Sequence, residues 1–187
     1  MKKINLKFLT LSLILLIAVA SRMLPHPNNF APMSAMALFG AAYFNRKYFG
    51  ILLPVLATWI SDLFINNIIY AKYYPTFTWF YEGFYWQYGT YILIGLFGIF
   101  LFKKVTLPRL LVGSLSASLI FFFITNLSCW YNNPMYLQNI YGVMDCYVMG
   151  LPFFKGTLMG DLFYSSALFT SYVFIQNKVP RLKSEVA

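Results

Sequence analysis

Asp62 and Asp161 carry carboxyl groups inside long apolar stretches of the sequence, where a charged side chain needs a partner. A charge at the bilayer centre costs about 2.5 to 3.5 kcal/mol on insertion scales, so such residues face a bundle interior or a wet cavity. Three kinds of chemistry are open to them. They can pair with Arg22 or Lys155 and hold helices in register, line a solute site, or share a proton as aspartyl hydrolases do.

The sequence around Asp161 partly matches a motif of intramembrane aspartyl proteases. Residues 158–161 read Leu-Met-Gly-Asp, whereas intramembrane aspartyl proteases carry Gly-x-Gly-Asp, and Leu158 occupies the position of the first glycine. The alternative therefore depends on Asp62 and Asp161 alone. The sequence favours a protein that is not an enzyme.

Polar residues recur at helical spacing in three apolar stretches, which places them along single helix faces. Each stripe extends toward the end of its segment that is predicted to face outward. The three stripes are Thr58, Asp62 and Asn66; Ser114, Ser118 and Asn126; and Thr157, Asp161, Tyr164 and Ser165. We therefore predict a polar interior in which Asp62, Asn66, Asn126 and Asp161 line a pocket.

The stretch from Arg22 to Pro32 offers a guanidinium, an imidazole and amides beside three prolines. Prolines fix φ and push the preceding residue toward extended geometry, so this is a stiff loop. A stiff loop loses little entropy when it binds a ligand. Arg22, His26, Asn29 and Phe30 are therefore predicted to contact polar or anionic ligand groups, although a turn with a solvated His26 fits equally.

Aromatic residues crowd the stretch 72–86, which contains Trp79 and Trp86. Rings of this kind settle at the headgroup depth of a membrane, and they also stack on planar ligands. Both interpretations stay open. In the second, Trp79, Trp86 and Trp130 stack on the ligand or gate its entry.

Composition identifies the elements that must position these residues. The chain is 60% hydrophobic and only 10% charged, which excludes a water-soluble domain, a disordered chain and a coiled coil. We predict an all-α integral membrane protein that forms a single domain over residues 1–187. Its six transmembrane helices are expected at 5–24, 30–45, 48–70, 87–102, 110–130 and 150–175.

Basic residues cluster between the apolar runs, a pattern that indicates membrane topology and not nucleic-acid binding. With the N-terminus inside, the cytoplasmic side receives eleven of them: Lys2, Lys3, Lys7, Arg46, Lys47, Lys103, Lys104, Arg109, Lys178, Arg181 and Lys183. Arg22, Lys72 and Lys155 fall outside. The sequence thus predicts a multi-pass protein of the bacterial inner (plasma) membrane with both termini cytoplasmic. A cleaved signal peptide ending at Ala20 is an alternative to a retained first helix.

Small residues mark two helix faces in the second segment, Ala31 with Ala35 and Ala37 with Ala41. They fit either close packing within the chain or docking of a membrane partner. Cys129 and Cys146 are predicted either to form a disulfide or to remain free thiols. One His and two separated Cys are too few ligands for a closed zinc site, so neither a metal nor a cofactor is expected.

Several motifs resemble an uncharacterised bacterial family of predicted transport proteins. They are Ser21-Arg22-x-x-Pro25-His26-Pro27-x-Asn29-Phe30-x-Pro32, the run 37–41, Ser61-Asp62, Phe122-Phe123-x-x-Asn126-x-x-x-Trp130 and the run 152–154. That family is similar to the substrate-binding S components of energy-coupling factor (ECF) vitamin transporters. The resemblance implies six helices, an outward-facing cavity, and coupling to a transmembrane ECF subunit and two ATPases.

These observations predict a membrane transport protein that binds a small vitamin-like solute and mediates its uptake. The sequence contains no Walker motif, so any use of ATP must come from partners. S components often carry an Ala-x-x-x-Ala motif on the first helix, which this chain lacks. The small-residue faces of the second segment are its expected substitute. A stand-alone ion-coupled carrier is the alternative transport mechanism.

Overall fold

The computed structural model describes residues 5–184, with side chains for residues 5–182. This part of the chain is all-helical, as predicted. Lys2, Lys3 and Glu185, and the side chain of Lys183, lie outside what is described. The helices are α1 (Leu6–Ala20), α2 (Met33–Tyr43), α3 (Lys47–Phe64), α4 (Phe84–Leu101), α5 (Leu107–Trp130), α6 (Ile140–Lys178) and α7 (Arg181–Ser184). Short 3-10 turns follow at Ser21–Met23 and Ala71–Tyr73, and a π-helical turn at Ile65–Ile69 extends α3.

Five helices in the described part are long and apolar enough to cross a membrane: α1, α3 with its π-helical extension, α4, α5 and α6. The predicted segment 30–45 corresponds to α2, which has only 11 residues. At 1.5 Å per residue it reaches about 16 Å, roughly half the thickness of a hydrocarbon core. It is therefore short for a sixth crossing.

Helix α6 begins about ten residues before the predicted segment 150–175. The helix begins at Ile140, where the Asn139 side chain accepts hydrogen bonds from the backbone nitrogens of Tyr141 and Gly142. It continues through Pro152 to Lys178, so it is 39 residues long, about 58 Å. A proline removes one backbone hydrogen bond, and here the helix continues past it.

The core surrounds α2, whose residues 34–41 are all buried. Helices α1, α3, α4, α5 and α6 all pack against it. At Gly40 and Gly50 a Cβ atom on either residue would collide with the backbone of the other, so these glycines permit the close crossing of α2 and α3. The short helix α2 is thus the central helix of the bundle.

Large apolar side chains point outward from the helices, for example Ile17, Phe100 and Phe174, which are 72%, 75% and 63% exposed. Such a surface is suited to lipid and not to water. The chain is therefore an all-helical protein of the membrane type. We call the end of the bundle with residues 21–32, 70–83 and 131–139 the loop end, and the end with residues 44–46 and 102–106 the lysine end.

Candidate functional site

The proline-rich segment 24–32 lies against α6. A Cβ atom on Gly156 would collide with the carbonyl oxygen of Asn28, and one on Gly160 would lie 2.9 Å from the backbone nitrogen of Ala31. Both neighbours are backbone atoms, which cannot rotate away as a side chain can. The two glycines therefore provide the groove in which the segment rests. Asn29 adopts a positive φ of 59° there, a conformation that asparagine tolerates well.

Arg22 and Asp62 form an ion pair that joins the 3-10 turn just before this segment to α3. The guanidinium Nη1 lies 2.8 Å from the Asp62 Oδ1 atom, and the two side chains are only 14% and 10% exposed. Arg22 also donates to the hydroxyl of Ser61. The sequence left several roles open for Asp62, and in the structure it forms the ion pair with Arg22.

A chain of hydrogen bonds extends this pair toward α4. The Tyr88 hydroxyl donates to the Asp62 Oδ2 atom at 2.6 Å. Nearby, the Tyr81 hydroxyl donates to the Gln87 Oε1 atom at 2.7 Å. Burial raises the pKa of the Tyr81 phenol, and neighbouring Tyr91 adds to this, so its hydroxyl keeps its proton. The α4 side of the site is consequently built from neutral donors and acceptors.

A cavity of about 470 Å³ opens beside the ion pair, enclosed by the segment 22–33, the end of α3, α4 and α5. This volume is within the range of about 300 to 1,000 Å³ that is usual for small-molecule sites. Its polar lining groups are Arg22, His26, Asn29 and Gln87, and its apolar walls include Tyr91, Phe121, Ile65 and Met33. We call it the main cavity.

A second cavity of about 260 Å³ shares Asn29, Gln87 and Phe121 with the main cavity. Its other walls come from α5 and α6, including Thr125, Asn126, Phe154 and Thr157. Because three residues line both spaces, the two cavities adjoin. We call it the side cavity.

Asp161 lies below both cavities and is 1% exposed. Its Oδ2 atom accepts a hydrogen bond of 2.7 Å from the Ser118 hydroxyl. A gap of only about 20 Å³ connects Asp161 with Asn29, Tyr91 and Phe121. Within residues 5–182 no basic side chain pairs with Asp161, so the predicted alternative of a pair with Lys155 or Arg22 is not realised.

The two carboxyl groups have separate donors. Asp62 pairs with Arg22 and accepts a hydrogen bond from Tyr88, while Asp161 accepts a hydrogen bond from Ser118. A shared proton would require the two carboxyls to hydrogen-bond to each other, and no such bond is present among the described residues. This arrangement offers no support for the hydrolase alternative.

Five of the predicted ligand-binding residues come together at this site. Arg22, His26 and Asn29 line the main cavity, Asn126 lines the side cavity, and Asp161 lies at its base. Asp62 is behind Arg22, which it contacts. His26 is exposed, and its Nδ1 atom lies 2.9 Å from the carbonyl oxygen of Pro27.

The remaining predicted residues lie outside the main cavity and the side cavity. Phe30 packs on α6, with ring centroids 5.6 Å from Phe163 and 5.5 Å from Tyr164. Asn66 is buried in the π-helical turn and lines neither the main cavity nor the side cavity.

None of the three tryptophans reaches the main cavity. Trp79 is 59% exposed and stacks on Trp59 at a centroid distance of 6.4 Å. Trp86 lines a separate hollow of about 470 Å³ near Tyr131, beyond the main cavity. The Trp130 indole nitrogen donates to the carbonyl oxygen of Leu137 at 2.9 Å and so anchors the loop before α6.

The small residues of α2 pack inside the chain. Ala35, Ala37 and Ala41 are at most 1% exposed, and Ala31 is half-buried. A Cβ atom on Gly98 of α4 would lie 2.9 Å from the Ala41 side chain. Partner docking at these residues needs an exposed face, so intramolecular packing is the alternative that this structure supports.

Both cysteines are free thiols. The Cys146 sulfur lies 3.3 Å from the Asn126 carbonyl oxygen, and this contact ties α6 to α5. The disulfide that the sequence left open is not formed in this structure. Cys129 lines the side cavity.

Sequence reasoning missed Gln87, Tyr88, Phe121 and Ser34. Each lies in a stretch where apolar or aromatic residues surround it, so its type alone does not single it out. Gly156 and Gly160 were also missed, although their spacing of four residues is the usual sign of a close backbone approach.

Comparisons with known proteins identify a family and nothing more specific. A search of curated proteins and a search of solved structures each gave no match. The model of a family described as "Family of unknown function (DUF6580)" matches residues 2–182, nearly the whole chain. The chain therefore belongs to the DUF6580 family.

Proposed function

We propose that this protein captures a small vitamin-like solute in the main cavity and mediates its uptake across the plasma membrane. The observation that carries the proposal is the main cavity itself, about 470 Å³ with a guanidinium, an imidazole and two amides in its lining. A mostly apolar pocket with a few convergent polar groups is the usual form of a small-molecule site.

The lining indicates the chemistry of the solute. Arg22 presents a cation to the cavity, and Asn29 and Gln87 offer amides that both donate and accept hydrogen bonds. Tyr91 and Phe121, whose rings stack at a centroid distance of 5.9 Å, supply flat apolar surface. The solute we propose thus combines an anionic or strongly polar group with a planar or apolar body. Its anionic group competes with Asp62 for Arg22.

The membrane arrangement belongs to the same proposal. The chain crosses six times with α2 as the short sixth segment, both termini are cytoplasmic, and the main cavity opens outward. The distribution of charge supports this, because Lys7, Lys47, Lys103 and Lys104 all lie at the lysine end. An outward-opening site that is closed below is what capture before uptake requires.

Two mechanisms differ in the energy source that they assign to uptake. Resemblance to S components favours a transmembrane ECF subunit with its ATPases as partners. The buried Asp161 below the cavities favours a stand-alone carrier coupled to an ion, because an intramembrane carboxyl group can bind a cation or proton. Uptake that persists in cells without ECF ATPases would select the carrier, and uptake that disappears would select the ECF complex.

Solute binding can be tested with protein purified in mild detergent. Mass spectrometry of co-purified metabolites should identify a candidate, and its affinity should then be measured for Gln87→Leu and for a control, Asn177→Leu. Asn177 is exposed on α6 near the lysine end, away from the main cavity. We expect about tenfold weaker binding for the first variant, because one lost hydrogen bond costs about 1 kcal/mol or slightly more, and no change for the control. The absence of any binder in a broad vitamin set, or equal affinities of the two variants, would contradict the proposal.

A further inference from the structure

A separate hollow lies at the loop end, between the start of α4 and the end of α5. Its volume is about 470 Å³, and it shares Cys129 with the side cavity but none of its described lining with the main cavity. Three aromatic side chains line it: Tyr85, Trp86 and Tyr131. Among the described residues of this lining, Glu82 is the one that carries a charge. We call this space the aromatic hollow.

The three rings form a connected aromatic surface. The ring centroids of Trp86 and Tyr131 are 6.3 Å apart with an angle of 55° between the ring planes, and Tyr85 lies 6.0 Å from Trp86. Tyr85 and Tyr131 are 60% and 62% exposed, so much of each ring is accessible to a ligand. A cation is attracted to an aromatic face when it lies within about 6 Å of the ring centroid. Because the Trp86 and Tyr131 centroids are so close, one cation can lie within that distance of both rings.

The cations of the chain itself do not use these rings. In the described part of the chain, the lysines that lie over aromatic rings contact Tyr73 and Phe174. Glu82 forms no ion pair with any described residue, and its side chain is exposed. The protein carries a net charge of +9, so an uncompensated carboxylate beside an aromatic surface is a local exception. The charge and the rings of the aromatic hollow therefore both favour a cationic ligand.

Hydrogen bonds hold the walls of the aromatic hollow in place. The Asn133 side-chain nitrogen donates to the carbonyl oxygen of Cys129 at 2.9 Å. The Gln138 side-chain nitrogen donates to the carbonyl oxygens of Trp130 and Asn133, at 3.0 and 3.1 Å. On the other wall, Gly83 has a φ of 75°, which glycine adopts readily and which turns the chain into α4. A ligand therefore has little loop to order when it binds, which lowers the entropy cost of binding.

We propose that the aromatic hollow binds a quaternary ammonium group, such as that of free choline or of a phosphatidylcholine headgroup. Aromatic cages recognise such cations because the charge is attracted to the ring faces. A volume of about 470 Å³ also leaves room for the rest of the ligand molecule. The main cavity presents the Arg22 guanidinium, which repels an ammonium ion, so this site is independent of the solute capture proposed there.

The test uses the full chain in a polyoxyethylene detergent, which carries neither a charge nor a sugar. The probes are choline, its uncharged isostere 3,3-dimethylbutan-1-ol and short-chain phosphatidylcholine, and saturation-transfer NMR on their methyl signals measures binding. The variants are Glu82→Gln and Trp86→Leu. The matched controls are Asp145→Asn and Trp79→Leu, which change exposed residues of the same types outside the aromatic hollow.

We expect choline to bind about tenfold more tightly than its uncharged isostere, because only choline gains the cation–π attraction of two rings. Binding of choline should weaken about threefold in Glu82→Gln, as for an exposed charge pair, and about fivefold in Trp86→Leu. Both controls should bind as the unmodified protein does.

The lipid probe distinguishes the two sources of the ammonium group. Binding of phosphatidylcholine with the same dependence on Glu82 and Trp86 would support the site and assign it to a lipid headgroup. Binding of choline alone would support the site and assign it to a free solute. Equal affinities for choline and the uncharged isostere, equal losses in variants and controls, or no binding of either ammonium probe would overturn the proposal.

Discussion

Asp62 and Asp161 are both buried aspartates in helices of the membrane type, yet their surroundings differ. Asp62 forms an ion pair with Arg22 at 2.8 Å and also accepts a hydrogen bond from Tyr88. Asp161 contacts a hydroxyl donor, Ser118, at 2.7 Å. One carboxyl is thus half of a charge pair, and the other serves as a hydrogen-bond acceptor. The two aspartates are therefore stabilised in different ways, Asp62 by an opposite charge and Asp161 by a neutral hydrogen-bond donor.

One stretch of chain reaches both carboxyls. Arg22, just before the proline-rich segment, pairs with Asp62, and Ser34, just after its end, lines the same small gap as Asp161. The segment between them rests on Gly156 and Gly160 of α6. Because the segment also lines the main cavity, its placement sets the geometry of the candidate site. Substitutions on either side of it can test how far the two carboxyl sites differ.

The largest effect is expected for Arg22→Met, which removes the cation and leaves the buried Asp62 carboxylate with Tyr88. Breaking a buried pair by removing one partner costs about 3 to 5 kcal/mol, mostly from the uncompensated charge. We expect a loss near the lower bound, because both side chains retain some exposure. The measurement is reversible unfolding of the purified protein in detergent.

A double variant separates charge from packing. Arg22→Met combined with Asp62→Leu removes both members of the pair, so it should be more stable than Arg22→Met alone. If the two variants were equally stable, the ion pair would contribute only through its packing, and the difference between the two aspartates would lose its electrostatic basis.

A smaller effect is expected for Gly156→Ala, which tests the packing of the proline-rich segment against α6. The added Cβ would collide with the carbonyl oxygen of Asn28, so the segment or the helix must shift. Overpacking of this kind typically costs about 1 to 3 kcal/mol. The control is Gly89→Ala on α4, where an added Cβ meets nothing within 4 Å.

Solute affinity gives the second measurement for this pair of variants. A shifted segment moves Asn29 and Arg22, so Gly156→Ala should also weaken binding in the main cavity, while Gly89→Ala should not. Unchanged stability and affinity in Gly156→Ala would show that the segment moves aside at little cost and that α6 does not fix the site.

Much of the helical framework could be predicted from the apolar runs. Segment 110–130 corresponds to Leu107–Trp130, and segment 48–70 corresponds to Lys47–Ile69. Long apolar runs predict helices well because their length and composition are local properties. The start of α6 could not be predicted in this way, since residues 140–149 mix polar and apolar types and its cap at Asn139 acts through side-chain geometry.

The site was predicted only in part, because its key contacts join distant residues. Helix-face spacing correctly indicated that Ser118 and Asp161 lie on polar faces, and the structure brings them together. Periodicity could not show that Tyr88, among many tyrosines, is the one that reaches Asp62. It also could not show that Trp79 faces away from the cavity, because that orientation depends on how the loop folds back onto Trp59.

The smallest effect, and the most direct test of the comparison, is expected for Asp161→Asn set against Asp62→Asn. Both substitutions keep nearly the same shape and remove the charge. At residue 161 an amide oxygen can still accept the hydroxyl of Ser118, so we expect a loss below about 1 kcal/mol. At residue 62 the substitution leaves the Arg22 guanidinium without its anion, and we expect a loss of about 2 kcal/mol.

Unfolding in detergent gives both stabilities, and uptake by cells adds a second readout. If Asp161 couples an ion to transport, Asp161→Asn should abolish uptake while the protein stays folded and binds its solute. If Asp161 is only an acceptor for Ser118, uptake should continue. A loss at residue 161 as large as that at residue 62 would mean that Asp161 is also charge-compensated, and the distinction between the two aspartates would then fail.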